Sequence, residues 1–216
     1  MILGLGNSKG GVGKSTIAAN LVVELCDRGY PTALIDAEKN SPTARRLLKY
    51  DPTLVVKGAS SLEEIDEAVE QLAQSGHHVV IDSPGRSGDE LTALCLASDI
   101  VLIPMQTTEQ DLLQTTDVLT LVRAFQRRMA GRPQAAIILN ATRRRDIAAR
   151  RFREGLLPLG VPVAKTQLRR LDDYRFSVSV MRDSELNRQG AADDIRTLVD
   201  ELVMPHLNHQ GVANEQ

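Results

Sequence analysis

Apolar residues in this chain gather in short runs separated by longer stretches of mixed character. The runs are "ILGLG" (2–6), "TALID" (32–36), "TLVVK" (53–57), "HHVVID" (77–82), "DIVLIP" (99–104), "AAIILN" (135–140) and "VPVAK" (161–165). Most contain few polar residues, the pattern of strands buried on both faces of a parallel sheet rather than the strict alternation of a half-exposed one. Between them the apolar spacing becomes helical, over about 15–28, 43–50, 60–75, 88–97, 108–130, 145–157 and 188–204. Strand and helix in strict alternation imply right-handed crossovers and a three-layer α/β domain, with a mostly parallel, buried sheet flanked by helices. One domain over residues 1–208 is expected, with residues 209–216, the end of the polar "NHQGVANEQ", as a disordered tail.

Composition narrows the class. With 216 residues, 42% hydrophobic, 25% charged and a net charge of −2, the chain can fill one core and has no bias toward disorder. No apolar run approaches the roughly 20 residues that span a bilayer, and "MILGLG" is too short and lacks a basic leader, so a cytoplasmic protein is expected. Cys26 and Cys95 lie in apolar helical stretches without a C-x-x-C or a neighbouring histidine, and read as buried thiols. His77 and His78 are adjacent and cannot share a strand face, while His206 and His209 fall near the tail, so the histidines suggest no metal site.

The chemistry concentrates in "NSKGGVGKSTI" (7–17), which follows the first strand and opens the first helix. That is the context of a phosphate-binding loop and hence of a P-loop NTPase fold. Lys9, Gly10, Gly11, Val12, Gly13, Lys14, Ser15 and Thr16 would form the cradle, the glycines letting successive N–H groups turn onto phosphate oxygens at a helix N-terminus. Lys14 would reach the β- and γ-phosphates and Ser15 would give its hydroxyl to Mg²⁺. Two details depart from the strict G-x-x-x-x-G-K-[ST] pattern: Ser8 stands where a glycine is required, and a second lysine, Lys9, precedes the glycines. The loop also needs carboxylates at neighbouring strand ends. "HHVVIDSPG" supplies Asp82 as a metal-side group acting through water, and "TALIDAEKN" supplies Asp36 and Glu38.

"KGGVGKST", "LIDAEKN", "VVIDSPG" and "SDIVLIPMQTTEQDL" together resemble the deviant Walker A partition ATPases of the ParA/MinD superfamily, in order and spacing, from residue 2 to about residue 204. The resemblance implies an ATPase that binds ATP or ADP with Mg²⁺, held by Ser15, Asp82 and Asp36. It implies a homodimer with two nucleotides sandwiched between the subunits, each Lys9 crossing to the other subunit's phosphates, and Asn140 beside the adenine. It also implies binding of non-specific double-stranded DNA by the ATP-bound dimer, release on hydrolysis, and a small ParB-like centromere-binding adaptor that stimulates turnover. One motif departs from the family's D-x-D-P-Q, reading Asp36-Ala37-Glu38-Lys39-Asn40. Glu38 carries its carboxylate one methylene further out, and misplacement by about 1 Å can cost on the order of 10²-fold in rate. Slow basal hydrolysis is therefore expected, unless the backbone adjusts or Asp36 takes over.

Charge adds a second surface. Residues 123–153 hold ten arginines against the single acid Asp146, leaving 16 basic and 27 acidic residues elsewhere. Such a concentration suggests contact with nucleic-acid phosphates, and Arg143, Arg144, Arg145, Arg150, Arg151 and Arg153 are the candidates. Only Phe125 and Phe152 could stack on bases there, so the expected binding is backbone-directed and salt-sensitive, giving nucleoid association. The first strand begins at residue 2, leaving no room for a helix-turn-helix ahead of it, so operator recognition is expected to belong to the adaptor. "MPHLNHQGVANEQ" has neither a segregated apolar face nor lysines, which argues against a MinD-like membrane helix, and Cys26 and Cys95 do not fit a cluster-binding reductase. DNA partition is the reading that results. A ParA-like ATPase positioning a protein cargo and a small-molecule ligase of the dethiobiotin synthetase kind are the alternatives.

Overall fold

The structure is a computed structural model that describes residues 1–38, 42–84, 88–143, 146–170 and 190–213. Among these residues seven strands are formed: β1 (Ile2–Leu5), β2 (Thr32–Asp36), β3 (Val55–Gly58), β4 (His78–Asp82), β5 (Ile100–Met105), β6 (Gln134–Thr142) and β7 (Val163–Arg169). They make one sheet in the order β3-β2-β4-β1-β5-β6-β7, and every pairing is parallel. The all-apolar runs account for this arrangement, since β2 and β5 are buried along their whole length. Pro104 is tolerated inside β5 because the β1 ladder stops at the pair Leu5–Leu102, so no bond to β1 is lost at residue 104.

Eight α-helices are described: α1 (Lys14–Asp27), α2 (Pro42–Tyr50), α3 (Leu62–Gln74), α4 (Asp89–Ala97), α5 (Glu109–Arg128), α6 (Ile147–Leu156), α7 (Ala191–Leu202) and α8 (Met204–Ala213). Their starts follow local chemistry. Ser61 and Glu64 close a capping box on α3, Thr108 caps α5 and Asp146 caps α6. The helix α8 spans Met204–Ala213. Leu207, buried at 7% exposure, and the half-buried Met204 dock it on the core.

The sheet separates two cores. On one face α1, α7 and α8 pack through residues such as Leu21, Leu25, Ile195 and Leu207; on the other α3, α4, α5 and α6 pack through Ile65, Leu94, Val118 and Leu156. The outer edge of β7 is covered by side chains. Glu201 of α7 accepts from the N–H groups of Lys165 and Thr166 at 2.5 and 2.8 Å, and Asp194 accepts from that of Arg169 at 3.0 Å. A free strand edge is thereby blocked against pairing with another chain. The chain runs outward from β1 to β2 and β3, then reverses through β4 toward β5, β6 and β7. The reversal opens a crevice at the carboxyl ends of the central strands, where the loop after β1 lies. Among the described residues no helix is long and apolar enough to cross a membrane.

Candidate nucleotide site

The loop from Asn7 to Gly13 is anchored at both ends. Asn7, 1% exposed, donates from Nδ2 to the Pro104 carbonyl at 2.8 Å and accepts from the Lys9 N–H at 3.0 Å, tying the loop to the end of β5. At the other end Gly13 is the N-cap of α1, with φ at 100°. A Cβ there would lie 2.2 Å from Asn140 Nδ2, so this position requires glycine for both conformation and space. The first turn of α1 has no acidic residue and no side-chain cap. Its N–H groups and partial positive charge are therefore suited to an anion.

The cleft in front of the loop, of about 430 Å³, is lined by Gly10, Gly11, Gly13, Lys14, Ser15 and Thr16 with Glu38, Ser83 and Pro84. Lys14 is 6% exposed and its Nζ donates to the Lys9 carbonyl at 2.9 Å, which folds the side chain back across the loop. Burial lowers its pKa, opposed by the nearby charges of Asp82 and Glu38. Opposite stand the two strand-end carboxylates, Asp36 and Asp82, register partners on adjacent strands and each 3% exposed. One oxygen of each, Asp36 Oδ2 and Asp82 Oδ1, has no hydrogen-bond partner among the described residues. Burial pushes the Asp82 carboxyl from 3.8 up to about 7, with Asp36 and Glu38 adding to the rise and the Ser15 hydroxyl and Lys14 opposing it. Two buried carboxylates with orphaned oxygens beside a serine hydroxyl fit a hard divalent cation with oxygen ligands, as Mg²⁺ requires. Glu38 is exposed, and its N–H donates to Asp36 Oδ1 at 3.1 Å.

A smaller recess of about 170 Å³ shares Gly11, Gly13 and Thr16 with the cleft and extends to Gln106, Asn140, Ala141 and Arg170. Asn140 borders it, yet its amide is engaged with protein: Nδ2 donates to the Val12 carbonyl at 2.6 Å and Oδ1 accepts from the Ala141 N–H at 2.8 Å. Asn140 is thus a strut between β6 and the loop, a role its position at a strand end did not disclose.

Lys9 is held by its own chain. Its Nζ forms an ion pair with Asp111 Oδ2 of the same chain at 2.9 Å. Asp111 lies in the first turn of α5, is fully buried, accepts from the Thr108 hydroxyl, and leaves Oδ1 without a partner among the described residues. Sequence reasoning missed Asp111, Asn7 and Thr108; "TTEQD" signals only a capped helix start.

The candidate DNA surface is reordered. Arg143, Arg150 and Arg151 are exposed at the start and on the outer side of α6, with Arg150 paired to Glu154 at 3.2 Å. The Arg153 guanidinium donates to the carbonyls of Val163, Ala164 and Lys165 and so fastens α6 to β7. Arg144 and Arg145 lie outside the described residues, as do Lys39 and Asn40 of the altered motif.

Residues 4–184 match the family model described as the CobQ/CobB/MinD/ParA nucleotide binding domain. The chain belongs to this family. Within it, the chain is 29% identical over 211 residues to the "Maintenance of carboxysome distribution protein A" of Halothiobacillus neapolitanus, covering 93% of this chain and 95% of that protein. The fold of this MinD/ParA-family domain matches the MinD cell division protein of Aquifex aeolicus with a TM-score of 0.70 at 18% identity, over 94% of this chain and 98% of that one. It also matches the cobyrinic acid a,c-diamide synthase of Mycobacterium smegmatis, solved with an ATP analogue and magnesium, with a TM-score of 0.70 at 17% identity and 92% coverage of both chains. A nucleotide is the ligand that the family model names, and the buried carboxylates Asp36 and Asp82 in the cleft fit a divalent cation beside it.

Proposed function

We propose that this protein is an ATP-driven positioning ATPase whose ATP-bound dimer grips DNA and lets go on hydrolysis, so that cargo held by a partner protein is moved or spaced. One observation carries the reading. Two lysines, Lys9 and Lys14, share a loop that needs only one for its own nucleotide, and Lys9 is held on the loop's flank by Asp111 instead of reaching into the cleft. A cation so placed serves as a donor to a facing subunit, as an arginine finger does.

In this scheme the N–H groups of Gly10 to Thr16 bind the phosphates and Lys14 leaves the Lys9 carbonyl to neutralise them. Ser15, Asp82 and Asp36 hold Mg²⁺, directly or through water. Mg²⁺ supplies charge neutralisation at the phosphate oxygens. Glu38, exposed at the cleft, or the more deeply buried Asp36, orients the attacking water. The long, solvated reach of Glu38 makes basal turnover slow. Arg143, Arg150 and Arg151, with Arg144 and Arg145 from the same stretch, meet the DNA backbone. Both plasmid or chromosome partition through a ParB-like adaptor and spacing of a protein assembly use this cycle. The end-to-end similarity to a carboxysome distribution protein supports the second cargo.

Sedimentation with ATP and Mg²⁺ tests the core of the reading. The wild-type chain should pair, Lys9→Ala should bind ATP without pairing, and Lys14→Ala should lose ATP. Pairing unaffected by Lys9→Ala sinks the trans-lysine account. A metabolite that accelerates turnover, with indifference to DNA, would identify a small-molecule ligase instead.

A further inference from the structure

A second concentration of positive charge lies toward the opposite edge of the sheet from α6. Residues 39–57 hold five basic residues against the single acid Asp51, and outside this stretch and residues 123–153 the chain carries 11 basic and 26 acidic residues. The helix α2 presents the centre of the stretch. Leu47, fully buried in the core that α1 shares, fixes the inward side of the helix, and Arg45, Arg46 and Lys49 are left exposed beside Leu48. Asp51 is buried and accepts from the Thr53 N–H and hydroxyl. Arg46 and Lys49 have neither an ion pair nor a hydrogen bond among the described residues. By contrast, Arg28 is held by Glu24 and Asp200, Arg150 by Glu154 and Arg196 by Asp193.

The spacing of these cations is unfavourable for the helix alone. Lys49 stands three residues after Arg46 and four after Arg45, the separations at which like charges repel across a helical turn, and α2 contains no acid to relieve them. Lys49 in the last turn suits the helix dipole; Arg46, in the middle, has no such reason. A polyanion would remove the repulsion by drawing both side chains onto one ligand. Arg46 and Lys49 are about 5 to 6 Å apart at Cβ. That is within reach of neighbouring phosphates on one strand of a duplex, which carries one charge per about 3.4 Å of axis. Tyr50 is half-buried and is the only aromatic residue of α2, so the bases of a single strand have no platform here. Resting on the functional reading above, we propose that α2 is a second surface for the backbone of double-stranded DNA, separate from α6. Leu47 belongs to the core on one face of the sheet, and Ala149 and Leu156 of α6 to the core on the other. The helix α2 packs beside β2 and α6 is fastened to β7, and those strands are five spacings apart, about 24 Å. The two surfaces therefore take different stretches of DNA, and one subunit bridges them.

The test uses the full chain with ATP and Mg²⁺ and two labelled duplexes of unrelated sequence, read by fluorescence anisotropy across a range of salt concentrations. Arg46→Ala with Lys49→Ala should flatten the slope of log affinity against log salt by about 1.8 on both duplexes, near 0.9 for each phosphate no longer neutralised. Adding Arg150→Ala and Arg151→Ala should flatten it further by the amount those changes give alone, because surfaces this far apart share no partner. Arg196→Ala removes a cation already paired with Asp193 and should leave the slope unchanged. Nucleotide affinity and the urea midpoint of the α2 variant should stay at wild-type values. An unchanged slope in the α2 variant, equal flattening in Arg196→Ala, or a lowered urea midpoint overturns the proposal. So does loss of sedimentation with vesicles of equal phosphatidylserine and phosphatidylcholine while DNA binding persists, which would make α2 a lipid-facing helix. DNA binding through α2 without ATP-dependent pairing would remove the functional reading and leave this surface standing. Pairing with DNA retention that depends on α6 and ignores α2 would do the reverse.

Discussion

Replacing Asp82 by asparagine should stabilise the nucleotide-free protein while removing its use for Mg²⁺. The side chain is 3% exposed, has one oxygen without a partner among the described residues, and faces Asp36 and Glu38 as well as Lys14. Its carboxyl pKa, raised from 3.8 to about 7, lies above the unfolded value, so the folded chain holds this proton more tightly than the unfolded chain does. The associated stability is complete below about pH 4 and is lost as pH rises through about 7. Over that window the loss is on the order of 4 kcal/mol, taking about 1.36 kcal/mol per pH unit. Roughly half has accrued by about pH 5.5 and all of it by about pH 8. Asparagine keeps the shape and has no charge to bury. Urea unfolding at the two pH values, without nucleotide or Mg²⁺, should show Asp82→Asn more stable than wild type. The gap should be some 2 kcal/mol larger at the higher pH. A gap independent of pH, or a variant less stable at about pH 8, would refute the claim that buried charge dominates this site.

The same proton competes with metal, so apparent Mg²⁺ affinity in the presence of nucleotide should fall by up to about tenfold per pH unit below about pH 7, measured by titration calorimetry. A flat profile there would mean that Asp82 is not at the metal. Gly13→Ala should cost more than about 2 kcal/mol, from the positive φ together with displacement of Asn140, and should weaken nucleotide binding; chemical denaturation and a fluorescent nucleotide read the two effects. Arg153→Ala should lower stability by about 1 to 3 kcal/mol through three unpaired carbonyls, with little change in the salt dependence of DNA retention. Arg150→Ala with Arg151→Ala should do the reverse, flattening the salt slope by about 1 for each phosphate no longer neutralised. Asp111→Asn should leave Lys9 more reactive to amine acylation, followed by mass spectrometry; unchanged reactivity would mean the 2.9 Å pair does not persist in solution.

Local pattern was enough to place the seven strands, because buried parallel strands are written as apolar runs and the helices α3, α5 and α6 between them carry their own side-chain caps. The loop and its carboxylates were legible for the same reason: glycines, lysines and aspartates at strand ends are adjacent in sequence to the structure that positions them. The final helix departed from this pattern, since Leu207 gives it one strong apolar contact that is visible once α7 and the core are in place.

The sequence by itself therefore determined the sheet, the phosphate-binding loop, the carboxylates facing it and the excess of arginine near residue 143. Tertiary structure decided what each charged group does. Lys9 and Asp111 are 102 residues apart, Asn140 and Val12 are 128 apart, and Arg153 meets the carbonyls of another element. A motif fixes the kind of group and its backbone; the partner depends on which loops the sheet order brings together. Coulombic and hydrogen-bond energies fall off over a few ångströms. Whether Lys9 rests on its own subunit and whether Arg153 is spent on β7 both follow from the sheet order.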